Sequence, residues 1–239
     1  MSYTYQKIGI IAAMQVEAEA LKEKIVLPRE KTVSGIVFTE GTLCGMPVVL
    51  AVCGEGKVNA AICAEAMILV YHVDLLLNTG VAGNLSDVLN VGDVAVASDT
   101  VEHDYDISPL GYAPGMVLGV NQIHVPCDED AVSLLAEILT DLGVKHLVGT
   151  VASGDQFISG REEKARIKSL FGAVACEMEG AAIGHVAVLN GVRFAVIRAI
   201  SDNADGSAPE NFDAFATAAA ETSVKVTERF LTRLAGRDC

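Results

Sequence analysis

The sequence predicts an α/β fold, with a mixed central β-sheet flanked by helices. Short apolar runs typical of buried strands alternate with longer segments whose apolar residues recur at helical spacing. Two β-rich runs separated by Cys44-Gly45 indicate an early hairpin, which makes the sheet mixed. The chain has 239 residues, of which 51% are hydrophobic, so one domain spanning 1–239 with a single large core is expected.

Each predicted strand is an apolar or β-branched run, and each predicted helix has apolar residues at helical spacing. In chain order the elements are strand 7–13, helix 16–24, strands 36–43 and 46–52, helix 58–71, strands 75–78 and 93–101, helix 128–142, strand 148–153, helix 161–171, strand 174–177, helix 180–190, strand 194–201 and helix 211–234. A turn is expected at 79–83. Residues 102–122 lack periodicity and indicate a long loop, which in a compact domain is usually functional or contacts a partner.

Composition argues against several classes of function. A net charge of −14 without a run of Lys or Arg argues against a nucleic-acid partner and favours a neutral or cationic small ligand. The six cysteines show no zinc-ligand spacing, so buried thiols are expected, without a metal or cofactor. The first residues do not resemble a signal peptide, and no apolar stretch reaches the length of a membrane span. A cytoplasmic protein without membrane contact is therefore expected.

Three carboxylates follow two of the predicted buried strands. Glu177 and Glu179 lie at the end of one apolar run, and Asp202 lies at the end of the run 194–200. Ligands of open α/β sheets bind beyond the carboxyl ends of the strands. Partial shielding from water there can raise the pKa of a carboxyl group, which can then donate a proton.

Two glycine-rich segments allow close approach of the backbone to a ligand. Residues 54–60, Gly-Glu-Gly-Lys-Val-Asn-Ala, half match a dinucleotide fingerprint, but Asn59 replaces the third glycine and a hairpin precedes the segment. An NAD site is therefore not expected. The second segment is Gly80-Val81-Ala82-Gly83. The chain has neither a Gly-x-Ser-x-Gly elbow nor a Walker loop, which argues against acyl transfer and nucleotide phosphate hydrolysis.

Four separated motifs in one order resemble bacterial 5′-methylthioadenosine/S-adenosylhomocysteine nucleosidases. They are Gly-Ile-Ile-Ala-Ala-Met-Gln-Val-Glu at 9–17, Ser-Gly-Asp-Gln-Phe at 153–157, Glu-Met-Glu at 177–179 and Arg-Ala-Ile-Ser-Asp at 198–202. The resemblance covers about residues 7–234, which are the expected ordered core. It implies a nucleoside phosphorylase/hydrolase-like fold with a partly barrel-like sheet.

The resemblance also implies roles for the catalytic residues. Asp202 would be the general acid that protonates N7 of adenine, and Ser201 would orient it. Glu179 would bind the ribose hydroxyls and stabilise positive charge on the sugar, with Met178 lying against the ribose. Glu17 would activate the attacking water. From position alone, Glu17 could instead be a carboxylate at a helix N-terminus, and Asp202 a turn residue.

Further residues are expected to bind the substrate. Phe157 would stack on the purine, the backbone of Ile158 would reach the base edge, and Phe212 would be a second aromatic residue of the pocket. Arg198 would help to hold the water or the sugar, although it could simply pair with an acid. The remaining expected substrate-binding residues are Met14, Val81, Ala82, Gly83 and Glu177, of which Glu177 has the least defined role.

The resemblance further implies a homodimer in which the loop 102–122 completes the 5′-substituent pocket of the neighbouring subunit. The candidates for this contact are Ile107, Leu110, Tyr112 and Pro114.

The expected reaction is hydrolysis of the N-glycosidic bond of 5′-methylthioadenosine, S-adenosylhomocysteine or 5′-deoxyadenosine. Three alternatives stay open: a purine nucleoside phosphorylase, an aminodeoxyfutalosine nucleosidase of menaquinone synthesis, and a non-catalytic purine-binding protein. In related phosphorylases a hydroxyl residue near position 81 helps to bind phosphate. Val81 has no hydroxyl, which favours hydrolysis.

Overall fold

The computed structural model describes residues 5–205 and 212–236, without the side chains of Glu17 and of residues 212–219. The strands of the described residues are β1 (Ile8–Ala12), β2 (Val26–Val33), β3 (Ile36–Leu43), β4 (Met46–Val52), β5 (Leu75–Asn84), β6 (Val94–Glu102), β7 (Val125–Pro126), β8 (His146–Ser153), β9 (Ala175–Glu177) and β10 (Arg193–Asp202). The α-helices are α1 (Gln15–Lys22), α2 (Lys57–Leu69), α3 (Glu129–Asp141), α4 (Arg161–Phe171), α5 (Gly180–Asn190) and α6 (Phe212–Leu234).

The sheet is mixed and partly closed, as the sequence and the resemblance predict. Strands β10, β6, β8, β9 and β5 follow one another in hydrogen-bonded order, and β5 pairs again with β10, which closes a ring. Strands β1, β4, β3 and β2 extend the sheet beyond this ring. The parallel pairing of β5 with β10 brings Gly83 opposite Asp202. The antiparallel pairing of β5 with β9 brings Gly83 opposite Cys176, so three strands meet at Gly83.

The apolar runs form the core because both faces of the central strands are covered. All five residues of β1 are buried, and so are the nine residues of β10 that follow Arg193. Helices α1, α3 and α6 contribute to one hydrophobic cluster against the sheet, and α2 and α5 contribute to a second. Strands with continuous apolar sequence are typical of sheets that are covered on both faces.

The predicted hairpin is confirmed. Cys44 and Gly45 connect β3 to β4, and both have positive φ angles, +52° and +89°. Two successive positive φ angles are what a two-residue type I′ turn requires.

The sequence reasoning is wrong about two segments in the first half of the chain. It does not predict β2, whose sequence contains a proline and several charged residues, and in which all but the last residue are exposed. Pairing with β3 forms this strand at the edge of the sheet. The turn expected at 79–83 is instead the second half of β5, because β10 continues to pair with β5 as far as Gly83.

The segment 102–122 is largely irregular, as predicted, after its first residue ends β6. It contains a single 3-10 turn at Ser108–Leu110 and one isolated bridge between Val117 and Gln122. Leu110 and Tyr112 are exposed, at 72% and 45%. In the part of the chain that the structure describes, no helix combines the length and the apolar character needed to cross a membrane.

Candidate active site

A cavity opens where β5, β9 and β10 meet and where α5 begins. It encloses about 590 Å³ of empty space, part of which is open to solvent. Most of the residues expected at the site line it, namely Met14, Val81, Ala82, Gly83, Phe157, Ile158, Glu177, Met178, Glu179, Ser201 and Asp202. The cavity therefore brings together residues from four separate motifs of the sequence.

Asp202 lies at the carboxyl end of β10 and is 6% exposed. Its Oδ1 accepts a hydrogen bond from the backbone N–H of Ala204, at 2.8 Å. Its Oδ2 accepts one from the hydroxyl of Ser201, at 2.9 Å. These two bonds fix the orientation of the carboxyl group at the cavity wall, as the expected orienting role of Ser201 requires.

Glu179 follows β9 and immediately precedes α5, and it is also buried. Its Oε1 accepts a hydrogen bond from the backbone N–H of Gly56, at 2.9 Å. Its Oε2 lies 3.6 Å from a guanidinium nitrogen of Arg198. A neighbouring cation and a backbone donor both favour the ionised form of a carboxyl group. These two contacts fix the position of the Glu179 carboxyl group in the cavity wall.

Glu177 lines the same cavity, but its two oxygens already bind protein groups. Oε1 accepts from the hydroxyl of Ser153, and Oε2 accepts from Arg198 and from the backbone N–H of Glu179, the last at 3.0 Å. The N–H of Gly180 donates to Oε2 as well, at 2.8 Å. The first amides of a helix have no partner within the helix. Glu177 accepts the Gly180 amide and Ser153 accepts the Ala181 amide, so together they fix the backbone from which Glu179 projects.

Arg198 lies behind the cavity wall and is 1% exposed. Its guanidinium group binds Glu177 and the side-chain oxygen of Asn78, the latter at 2.5 Å. Asn78 is held in turn by its donation to the backbone carbonyl of Ile11, at 3.0 Å. A buried charge is tolerated when it is paired and hydrogen-bonded, and Arg198 meets both conditions.

Two sides of the cavity are mainly apolar. Val81, Ala82 and Gly83 form one side along β5. Phe157 and Ile158 form another, in the segment after β8, where Ile158 is buried and the Phe157 ring is 55% exposed. A half-exposed aromatic ring at a cavity rim offers a face to a planar ligand.

For two residues expected at the site, the structure describes the backbone and not the side chain. The backbone of Glu17 lies in α1, just after Met14, but its side chain is outside the described part of the structure. Phe212 begins α6, and its side chain is likewise outside that part. The four loop residues at 107, 110, 112 and 114 are absent from the cavity lining of this single chain.

The described lining of the cavity contains acidic but no basic side chains, and the buried Arg198 behind the wall contacts two of the acids. Among its described lining residues, Glu55, Glu177, Glu179 and Asp202 are acidic, and none is Lys, Arg or His. Cys176 lies among them, and burial together with the nearby Asp202 charge raises the pKa of its thiol to about 12. Its thiol is therefore protonated at neutral pH. The described residues contain no cluster of three or more His, Cys, Asp or Glu that could hold a metal ion.

Sequence reasoning missed several residues of the site. Ser153 and Asn78 anchor Glu177 and Arg198, and Gly56 anchors Glu179, although each lies far from its partner in the chain. The glycine-rich segment at 54–60 was the available signal for Gly56. Its backbone binds an anion at the start of a helix, as such segments do. The anion is a carboxylate of the protein itself. The lining residues Ala13 and Gln156 lie within two of the motifs and Glu55 within the glycine-rich segment, but the sequence assigned no role to them or to Cys176.

Comparison with known proteins finds the same fold and related sequences. Residues 7–232 match the family model of the phosphorylase superfamily. A 5′-methylthioadenosine/S-adenosylhomocysteine nucleosidase of Shewanella halifaxensis is 36% identical over 95% of this chain and 100% of its own length.

Solved structures give the same result. A 5′-methylthioadenosine/S-adenosylhomocysteine nucleosidase of Streptococcus pneumoniae with the transition-state inhibitor MT-ImmA is 37% identical, with a TM-score of 0.90 over 95% of this chain and 99% of that one. A futalosine hydrolase of Helicobacter pylori is 36% identical, with a TM-score of 0.92 over 96% of this chain and 98% of that one.

Proposed function

Because the chain belongs to the 5′-methylthioadenosine/S-adenosylhomocysteine nucleosidase family of the phosphorylase superfamily, we propose that it hydrolyses the N-glycosidic bond of 5′-modified adenosines and releases adenine. This proposal rests mainly on one observation: two oriented carboxyl groups, those of Asp202 and Glu179, line the same cavity. One acid would act on the leaving base and the other on the sugar.

Asp202 is the general acid in this mechanism. A proton donated to N7 of adenine removes negative charge that would otherwise develop on the leaving base. Its position at a strand end, buried and oriented by Ser201 and the Ala204 amide, supports the role. Positioned acids and bases accelerate a reaction by about 10²–10⁴-fold.

Glu179 binds the ribose and stabilises its developing positive charge. As the bond to the base lengthens, the sugar becomes an oxocarbenium-like cation. An ionised carboxylate held in place before the reaction stabilises such a cation without reorganisation. Met178 gives the sugar an apolar contact. Glu177 and Arg198 are positioning residues in this mechanism. Their polar groups bind each other and neighbouring protein groups, and so hold the backbone that carries Glu179.

Glu17 completes the mechanism as the base that activates water. This role rests on the motif at 9–17 and on the backbone position of Glu17, three residues after Met14 of the cavity lining. Phe157 would stack on the adenine, the backbone of Ile158 would contact its edge, and Phe212 would be a second aromatic contact.

The charge of the cavity favours water over phosphate as the nucleophile. Four carboxyl groups and no basic side chain occur among the described lining residues. No described lining side chain offers a phosphate dianion a positive charge, and the Arg198 charge is already taken up by Glu177 and Glu179. In its proposed role as base, the Glu17 carboxylate would repel the dianion, because like charges a few ångströms apart cost several kcal/mol at an effective dielectric constant of about 20. Val81 offers no hydroxyl group to bind it.

The proposed enzyme is a homodimer of the cytoplasm. Exposed apolar residues of α2 and α5 form a continuous face, and Leu110 and Tyr112 project from the loop at 102–122. Large apolar patches on a surface usually mark interaction sites. All five cysteines in the described residues are free thiols, which suits a reducing compartment.

The test is an assay of 5′-methylthioadenosine cleavage in phosphate-free buffer. We expect adenine and free methylthioribose at full rate, without acceleration by added phosphate. Detection of a sugar 1-phosphate as the main product by phosphorus NMR would identify a phosphorylase instead. Binding of adenine without any turnover would identify a non-catalytic protein.

A second candidate is hydrolysis of aminodeoxyfutalosine. It is favoured by the structural similarity to the futalosine hydrolase of Helicobacter pylori, which equals that to the nucleosidases. A panel of 5′-methylthioadenosine, S-adenosylhomocysteine, 5′-deoxyadenosine and aminodeoxyfutalosine, with adenine release as the readout, ranks these substrates by kcat/KM.

A further inference from the structure

The glycine-rich turn before α2 is tied to the site by a cluster of buried charges. Lys57 is the first residue of α2, and its ammonium group lies 2.6 Å from Asp104 and 3.1 Å from Glu102. Glu102 ends β6 and Asp104 follows it, so the ammonium joins the start of α2 to the end of β6. His185 of α5 contacts the other oxygen of Glu102, at 3.0 Å.

Three hydrogen bonds close a ring that includes Lys57. The Lys57 ammonium donates to Asp104, and the backbone N–H of Asp155 donates to the other oxygen of Asp104, at 2.9 Å. The third bond leads back to Lys57, because Oδ1 of Asp155 accepts a hydrogen bond from the backbone N–H of Lys57, at 2.7 Å. The ring therefore fixes the turn before α2 against the segment after β8, which carries Phe157.

Gly56, the residue just before Lys57, donates the backbone hydrogen bond that holds Glu179. The N–H of Gly56 points at Glu179, while a Cβ atom on Gly56 would lie 2.9 Å from Asp155. Gly56 also has a φ of +95°, which side-chain-bearing residues rarely adopt. The turn thus fits between Asp155 on one side and Glu179 on the other, and a shift of the turn would move the donor to Glu179.

Lys57 and Asp104 are both ionised at neutral pH. Burial alone would lower the pKa of Lys57, but its bonds to Asp104 and the charge of Glu102 outweigh burial and raise it. Burial alone would raise the pKa of Asp104, but the bonds from Lys57 and the Asp155 amide, together with the nearby positive charge, outweigh burial and lower the pKa. The side chains of Lys57, Glu102 and Asp104 are only 18%, 10% and 19% exposed. Loss of the cation would leave two carboxylates close together without a counter-charge.

We propose that Lys57 is a positioning residue for the sugar-binding carboxylate, acting through Asp104 and Asp155 on the turn that carries the Gly56 amide. The inference rests on the proposed function, because it assigns Glu179 to the ribose hydroxyls. Lys57 does not reach the substrate. It sets where one oxygen of Glu179 lies.

The test compares Lys57→Met with the wild type on two substrates, 5′-methylthioadenosine and its 2′-deoxy analogue. A misplaced Glu179 no longer hydrogen-bonds the 2′-hydroxyl. The kcat/KM of the variant on the ribo substrate should therefore fall about 10²-fold. The loss in kcat/KM on the deoxy substrate should be far smaller. The ratio of kcat/KM for the ribo substrate to that for the deoxy substrate should therefore fall by about the ratio of the two losses. Lys57→Arg, which keeps the charge, should restore most of the preference.

Two controls separate positioning from general destabilisation. Lys7→Met removes the half-buried ion pair with Glu40, remote from the cavity, and should leave the preference unchanged. Asp155→Ala opens the ring at an exposed residue and should lower the preference in the same direction, which keeps the test decisive if Lys57→Met does not fold.

Equal losses on both substrates in Lys57→Met and Asp155→Ala would overturn the positioning role while leaving the proposed function intact. A wild-type protein that releases no adenine from any substrate would instead refute the proposed function, and the inference with it.

Discussion

Glu177 and Glu179 carry the same side chain two residues apart, and the local structure separates their chemistry. The end of β9 turns Glu177 towards Ser153 and Arg198, where its oxygens are occupied by protein donors. Glu179 lies at the start of α5 and lines the cavity with a carboxylate held by one backbone amide. The sequence motif predicts both residues for the site. Only the hydrogen bonds separate a carboxylate occupied by several protein donors from one that lines the cavity with fewer contacts, and this difference supports the two proposed roles.

Asp202→Asn tests the general acid. The amide cannot donate a carboxyl proton, so kcat should fall by about 10²–10⁴-fold. Folding should survive, because an Asn oxygen can still accept the Ala204 amide hydrogen. Steady-state adenine release and the thermal unfolding midpoint measure the two effects. Asp130→Asn, an exposed change on α3, is the matched control and should alter neither. Near-normal kcat in Asp202→Asn would remove Asp202 from its role.

Glu177→Gln tests the buried ion pair. The change leaves the guanidinium of Arg198 without its nearest carboxylate and weakens the cap of α5. Breaking one partner of a buried pair typically costs about 3–5 kcal/mol. We expect a loss of that size in the free energy of unfolding, measured by urea denaturation, together with reduced activity. A variant as stable as the wild type would contradict the importance of this pair.

At the scale of elements, the sequence predicts well where the signal is local. Apolar runs give the central strands, and Cys44-Gly45 gives the hairpin, because burial and turn geometry act on neighbouring residues. The sequence does not predict β2, since this exposed edge strand forms only by pairing with β3. Likewise, the residues that hold Glu179 in place come from separate elements. No spacing in the sequence links Lys57 to Asp104 or Asp155.

The junction of α2 with the end of β6 should give stability a defined pH dependence. Burial raises the pKa of Asp104, but the bonds from Lys57 and the Asp155 amide, together with the nearby positive charge, bring it below its ordinary value of 3.8 in the folded protein. Its contribution is therefore present above pH 3.8 and is lost as the pH falls through the folded value. Asp104→Asn should be less stable than the wild type at neutral pH.

The two unfolding free energies should converge as the pH falls below 3.8, the ordinary value for this carboxyl group. The opposite sign applies to Lys57, whose folded pKa is raised above 10.5. Its contribution is complete below that value and is lost as the pH rises through the folded value. Urea denaturation across the pH range measures both limits, and parallel curves for the wild type and Asp104→Asn would contradict the assignment.

At the scale of the whole molecule, the site and the apolar surface are connected. Helix α2 begins at the turn that holds Glu179, and α5 begins immediately after Glu179. Both helices then run beside an apolar groove that includes Ile62, Leu69 and Leu189. The same two helices therefore begin at the proposed sugar-binding carboxylate and expose apolar side chains along their length, where we propose that a second copy docks. Association of two copies through these helices would stabilise the starts of α2 and α5, which hold Glu179.

Leu189→Glu tests this assembly. Leu189 is 62% exposed on α5, so the change should cost the single chain little stability, yet it places a charge in the proposed interface. Light scattering should give two copies for the wild type and one for the variant. The variant should also have a higher KM for long 5′-substituents, because the loop with Tyr112 would no longer reach a partner. Val26→Glu, on the exposed edge strand β2, should remain dimeric and active. A wild-type enzyme that is fully active as a monomer at assay concentration would exclude both the dimer and the shared pocket.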